Sequence, residues 1–423
     1  MEIIEKREKW IFLLIIIQPL IDIATSISSY HGMTVTIGSL FRAILMAGLF
    51  IWMIRFIYLY KQEQVWAFFA SYFAIILMLA ITMLYKPQLN LFQEINFAIK
   101  TGYYLVMIHV SILLLKQRIL SKATIYRAAA VTSLIVGVSY WLAIATGTGI
   151  DSYRYGSAGF SGWFFAANEL SVIVIVLLGL SLVHLTYKRT YLSWFSLAFM
   201  ISMVPMIGTK TAFVGGVALL LTGVGYILLF IRHVGREKSA ILFLAIVILF
   251  ICLIPKTPIF SATGQLGHGA DHKTEQIESV SDQTETKSPT NILSSRDMYL
   301  QQTKTEFADA TVARKLFGLG FAGDNQDVEK LIEMDFFDLF FGYGIIGSFL
   351  LVMPLIFLVS KLCKNMFPFT IRKLILACTL GLCLGIAALA GHVLFAPSVM
   401  TYVTIGMIAL VRENIEVGKY DVP

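Results

Sequence analysis

The chain has 423 residues, of which 57% are hydrophobic and 14% charged, with a formal net charge of +7 and a mean hydropathy of +0.78. A soluble domain carries about 25% charged residues, so these figures exclude a soluble globular enzyme and a disordered chain, and the lack of alternating apolar and polar positions excludes an outer-membrane barrel. What remains is an all-α polytopic transmembrane bundle, because a helix closes its backbone hydrogen bonds within one segment in lipid.

Apolar runs near the length of roughly 20 residues that spans a bilayer predict about 12 spans. In chain order these are Trp10–Ile27, Ile37–Tyr60, Val65–Tyr85, Phe97–Leu115, Arg127–Gly147, Trp163–Tyr187, Leu192–Gly208, Thr211–Ile231 and Ala240–Pro255, followed after a long polar stretch by Phe336–Ser360, Ile371–Phe395 and Ser398–Val411. The first run reads as an uncleaved span, not a signal peptide: Gln18, Pro19 and Asp22 interrupt it and no small-residue cleavage site follows. Residues 1–255 thus hold spans one to nine, 256–334 form a loop, and 335–423 hold the last three spans and a short tail. The first half of the loop is rich in Ser, Thr, Gln, Gly and charge and reads as disordered. The second half spaces Met298, Leu300, Phe307, Val312, Leu316 and Phe317 as one or two amphipathic helices.

Lys and Arg orient the bundle. Clusters such as Arg55 and Lys61, Lys116 to Arg127, Lys188 and Arg189, Arg232 to Lys238, and Lys361 to Lys373 fall in alternate turns, joined by both termini. The positive-inside rule then places both termini in the cytoplasm and the 256–334 loop outside, in a multi-pass membrane protein. This clustering explains the net charge without nucleic acid. Cys252, Cys363, Cys378 and Cys383 all lie in or beside apolar runs and imply no disulfide framework.

A charge inside a span costs roughly 2.5–3.5 kcal/mol on insertion scales, so each asks for a reason. Here they gather at the outer ends: Asp22, Arg42, Lys100, Arg154, Glu169, Lys210, Glu333, Asp335 and Asp338. Asp22 and Arg42 lie at similar depth on consecutive antiparallel spans and read as a structural ion pair. Lys100 either snorkels to headgroups or joins Arg154, Lys210 and Arg296 on one face. His268 and His272 have metal-ligand spacing but lie in the polar tract, and no nucleotide-binding loop or nucleophile elbow appears. Cations on a membrane ledge suit a diphosphate whose lipid tail stays in the bilayer. Nearby carboxylates suit removal of a hydroxyl proton.

Four stretches carry a family resemblance: YRYGSAGFSGWFFAANEL from Tyr153, GTKTAFVGG from Gly208, the loop with SRDMY and FGLGF, and EMDFFDLFFGYGIIG from Glu333. In their order the sequence resembles the O-antigen ligase and Wzy-type polysaccharide polymerase family. The resemblance implies a GT-C-like fold and a metal-independent inverting glycosyltransferase that needs no cofactor. Its donor would be a glycan on undecaprenyl pyrophosphate and its acceptor a sugar hydroxyl at the outer face, with a chain-length regulator as a further partner. By position, Arg154, Lys210 and Arg296 would bind the pyrophosphate, and Tyr153, Asn168 and Glu169 would shape the site. The family often has His where this chain has Glu333, so Glu333 or Asp335 would be the catalytic base. With nothing pointing to a lipopolysaccharide acceptor, a polymerase of a capsular or O-antigen-like surface polysaccharide is favoured over a ligase. A lipid-linked oligosaccharide flippase is the rival from another class; it would place its charges near the midplane between repeated halves.

Overall fold

The computed structural model describes residues 2–33, 35–60, 65–87, 89–114, 120–152, 159–234, 237–260, 296–324, 331–364, 366–391 and 393–416. The tract expected to be disordered therefore lies outside the described residues, as does most of its surroundings from 261 to 295. The architecture is all-α. Helices α1 (Glu2–Tyr30), α2 (Ile37–Tyr60), α3 (Val65–Tyr85), α4 (Leu91–Leu114) and α5 (Lys122–Ala145) lead to a two-stranded ribbon, β1 (Ile150–Asp151) with β2 (Phe160–Gly162). Then come α6 (Ala167–Tyr187), α7 (Tyr191–Met206), α8 (Lys210–Val234) and α9 (Glu237–Leu253). Two helices precede the last bundle segments, α10 (Arg296–Asp309) and α11 (Val312–Phe317), and the chain continues with α12 (Asp335–Lys364), α13 (Ile371–Leu389) and α14 (Pro397–Glu416).

Among the described residues, eight helices are long and apolar enough to cross a membrane: α1 to α6, α12 and α13. The other expected spans coincide with the shorter apolar stretches of α7, α8 and α9 and with α14. α6 is the spine. Every residue from Leu170 to His184 is buried, and it packs against α5, α7, α8, α13 and α14. A helix that is apolar all round belongs in such a position. The outer helices present Leu, Ile and Phe outward instead: α2, for example, exposes Leu40, Ile44 and Ile51, as lipid-facing surfaces require. All four cysteines are free thiols.

Several expected boundaries move: α4 starts at Leu91 instead of Phe97 and α5 at Lys122 instead of Arg127, and two further changes shape the cavity. Trp163 is not the start of α6: residues 160–162 pair with 150–151, and the helix begins at Ala167. The run Ile371–Phe395 is not one helix either. α13 ends at Leu389, Gly391 takes φ +63, and residues 393–396 lie outside any helix before α14 begins at Pro397. The cause is a side chain elsewhere: Asp335 Oδ2 accepts the amides of Val393 at 2.9 Å and Leu394 at 2.7 Å, replacing the helical partners they lack.

A second break lies inside α12, at Gly344 with φ +68 and ψ −172. It frees the carbonyls of Phe341 and Gly342, and these accept the amides of Leu319 at 2.8 Å and Gly320 at 3.2 Å. The segment after α11 is thus laid as a short backbone ladder on the broken helix. Non-helical backbone at membrane depth is tolerated only with such internal partners. A Cβ on Gly344 would stand 2.5 Å from the Gly318 nitrogen, so the contact admits no side chain. Gly344→Ala adds a backbone penalty of about 1–3 kcal/mol for this conformation and a comparable overpacking cost. The expected result is a total loss of about 2–6 kcal/mol. Gly225→Ala, in α8 with open space around it, is expected to be neutral or stabilising; thermal unfolding in detergent compares the two.

Candidate functional site

At the end of the bundle that carries α10 and α11 lies a cavity of about 250 Å³. α1 and α2 contribute Asp22, Thr25 and Arg42; α4 contributes Asn96, Phe97 and Lys100; α6 contributes Glu169, Leu170 and Ile173. Phe164 to Ala166, Phe321, Leu331, Glu333, Asp335, Asp338 and the stretch Phe395–Ser398 complete the wall. Apolar surface thus surrounds a few convergent charges, the usual character of a ligand site.

Each charge has a traceable setting. Arg42 and Asp22 form a buried ion pair between α2 and α1, and Tyr402 of α14 donates to the other Asp22 oxygen at 3.0 Å. Removing one partner of such a pair would leave an uncompensated charge, at roughly 3–5 kcal/mol. Glu169, in the first turn of α6, accepts a hydrogen bond from the Ser398 hydroxyl. Lys86 donates to Glu94 and, at 2.7 Å, to the Phe321 carbonyl, while Glu94 accepts the Phe321 amide at 2.9 Å. The turn between α3 and α4 thereby holds Phe321 in the cavity wall. Arg314 secures the same segment from α11, with a paired contact to Asp324 at 2.6 and 2.7 Å.

The three acids at the start of α12 have different settings. Asp338 is buried and accepts the amide of Ile332 at 2.8 Å with one oxygen and that of Met334 at 3.0 Å with the other. Both neighbours of Glu333 are thereby held, and Glu333 itself is forced to φ +64. That conformation is rare for a side-chain-bearing residue and persists only where surroundings impose it. Asp335 is also buried, with Oδ2 tied to the amides after α13. Glu333 keeps 29% of its side chain exposed and meets Arg296 of α10 at 3.4 Å.

The residues expected from sequence divide as follows. Glu169, Glu333 and Asp335 line the cavity, and Arg296 joins it through Glu333. Asn168 is half-buried at the start of α6, outside the lining, and Lys210 is exposed at the first position of α8, also outside it. Tyr153 and Arg154 lie outside the described residues. Their flanks are placed, however: Ser152 donates to the Ile207 carbonyl at 2.6 Å, and Gly159 packs on Ile207 and Gly208. The Arg154 segment therefore starts and ends against the turn that leads into Lys210. Sequence reasoning missed Ser398, Lys86 and Glu94. The last two had a faint signal, opposite charges flanking a Pro-containing turn; a serine opening a helix had none.

Residues 4–416 match the family model described as O-antigen ligase like membrane protein. The chain belongs to this family. No curated protein matches the chain. Of the four quoted stretches, those from Tyr153 and Glu333 and the loop motif ending at Phe321 contribute lining residues to the cavity, and the one from Gly208 contributes none.

The settings of the three acids make a stability test. Asp338→Ala strips two buried amides of their acceptor, each worth about 1–3 kcal/mol. It is expected to lower unfolding stability by about 2–5 kcal/mol. Glu333→Gln weakens a partly exposed 3.4 Å ion pair and is expected to shift stability by less than about 1 kcal/mol. Thermal unfolding of the purified variants measures both.

Proposed function

We propose that the protein is a polymerase of a capsular or O-antigen-like surface polysaccharide, acting at the outer face of the bacterial cytoplasmic membrane. The donor is a glycan on undecaprenyl pyrophosphate and the acceptor is a sugar hydroxyl of another repeat unit. Family membership supports the reaction class. The observation that carries the residue assignment is the position of Glu333: the one acid among the three at α12 with a partly exposed side chain, held in the cavity wall beside Arg296.

In this reading both termini are cytoplasmic, about 12 helices span the bilayer, and the cavity opens on the loop side. Glu333 accepts the proton of the acceptor hydroxyl, and that oxygen bonds to the anomeric carbon. The bond from the anomeric carbon to the phosphate oxygen breaks, and its electron pair leaves with undecaprenyl pyrophosphate, inverting the anomeric configuration. A diphosphate is a good leaving group, so Arg154, Lys210 and Arg296 need only hold its growing charge. In this metal-independent scheme the guanidinium groups supply paired donors to phosphate oxygens. Asp335 frames the site, and Asn168, Glu169 and Tyr153 shape its acceptor side.

General base catalysis contributes about 10²–10⁴-fold. Glu333→Gln is therefore expected to lower polymer formation by at least about 100-fold. Asp335→Asn keeps an oxygen that can accept both amides and is expected to keep activity within about ten-fold of wild type, a loss of less than roughly 1.4 kcal/mol. Arg154→Ala and Arg296→Ala are each expected to abolish long polymer while the protein still inserts. Gel profiles of surface glycan read all four: a ladder from Arg296→Ala would refute the pyrophosphate role, and single-step transfer without a ladder in wild type would mark a ligase.

A further inference from the structure

We infer that Lys100 is the residue on which the cavity seats a phosphate, and this rests on the reading above. The side chain lines the cavity from α4, on the face it shares with Asn96 and Phe97. It is half-buried. Lys100 lies nine residues into α4, about 14 Å along the helix axis.

The partners of the neighbouring charges single it out. Arg42 is paired with Asp22, and Arg296 with Glu333. Asp335 and Asp338 accept backbone amides, and Glu169 accepts the Ser398 hydroxyl. Among the described residues, no carboxylate lies within ion-pair distance of Lys100 and no hydrogen bond engages its ammonium. A cation kept inside a membrane protein without a partner marks a substrate path. A phosphate ester supplies the missing counter-charge, and an ammonium is a suitable point-charge partner for it.

The phosphate must also tolerate the acids nearby. Asp22 is offset by Arg42, and the charges of Asp335 and Asp338 are spread over four backbone amides. Glu169, which accepts the neutral Ser398 hydroxyl, keeps its charge in the wall, and Glu333 is the acid that faces a cation a phosphate could attract. A phosphate that attracts Arg296 would loosen its 3.4 Å contact with this carboxylate, which couples donor binding to the base.

Purified protein in nanodiscs tests the assignment with three probes: farnesyl diphosphate, inorganic pyrophosphate and farnesol, titrated by calorimetry. Lys100→Met is expected to weaken farnesyl diphosphate at least ten-fold and leave farnesol within two-fold, while Lys100→Arg stays within three-fold of wild type for all. A parallel loss for pyrophosphate supports a seat that reads phosphate without the tail; a loss confined to the farnesyl compound supports one that reads phosphate presented by a lipid. Because Lys100 has no fixed partner among the described residues, the thermal midpoint of Lys100→Met should equal or exceed that of wild type. A fall of more than five degrees would mean that the ammonium merely offsets the cavity's carboxylates, and would overturn the inference. Equal diphosphate affinity in wild type and Lys100→Met overturns it alone, whereas a wild-type protein that binds no diphosphate overturns it together with the polymerase reading.

Discussion

Backbone that leaves the helical path inside a bilayer has no water to bond with, and at one end of this bundle the chain leaves that path repeatedly. Carboxylates satisfy much of that freed backbone. Asp335 holds the amides after α13, Asp338 those on either side of Glu333, and Glu94 that of Phe321. Where a carboxylate is absent, the broken helix serves: the carbonyls exposed at Gly344 bind the amides after α11. Each such bond avoids the cost of several kcal/mol that an unsatisfied polar group carries in lipid.

This constraint also sorts the acids by role. Asp338 has one amide on each oxygen and gives up backbone satisfaction if it takes a proton, while Asp335 is buried and fixed through Oδ2 to the chain after α13, so both frame the cavity. Glu333 is carried between the two amides that Asp338 holds, in a strained conformation, and faces the Arg296 guanidinium. Strain of this kind is stored where a site needs a group in one place. The same logic connects the far walls. The Asp22 and Arg42 pair joins α1 to α2 and reaches α14 through Tyr402, so three helices that could slide in lipid are registered at the cavity.

At the opposite end the polar ties serve cohesion. Glu413 of α14 receives Lys122 at 3.2 Å and Tyr126 at 2.8 Å from α5, and Arg372 of α13 stands 3.8 Å away. Between the two ends, α6 supplies an almost wholly apolar contact surface. Helix association in lipid rests on packing and on hydrogen bonds, since burial from water offers no drive there. The bundle uses packing at its centre and polar ties at both ends.

Composition and the length of the apolar runs determined the helical class, the approximate place of the apolar helices and the end at which charges gather, because solubility in lipid acts on every residue locally. The pairing of Asp22 with Arg42 was also legible, since two opposite charges at one depth on adjacent antiparallel helices have few other partners. The ends of α6 and α13, the break at Gly344 and the division of labour among Glu333, Asp335 and Asp338 were not. Lys210 carries a charge as conspicuous in sequence as that of Lys100, yet it stands outside the cavity lining while Lys100 is within it. Only tertiary structure decides such matters, because they depend on which backbone amide or side chain, dozens to hundreds of residues away, comes within hydrogen-bonding distance once the helices have packed.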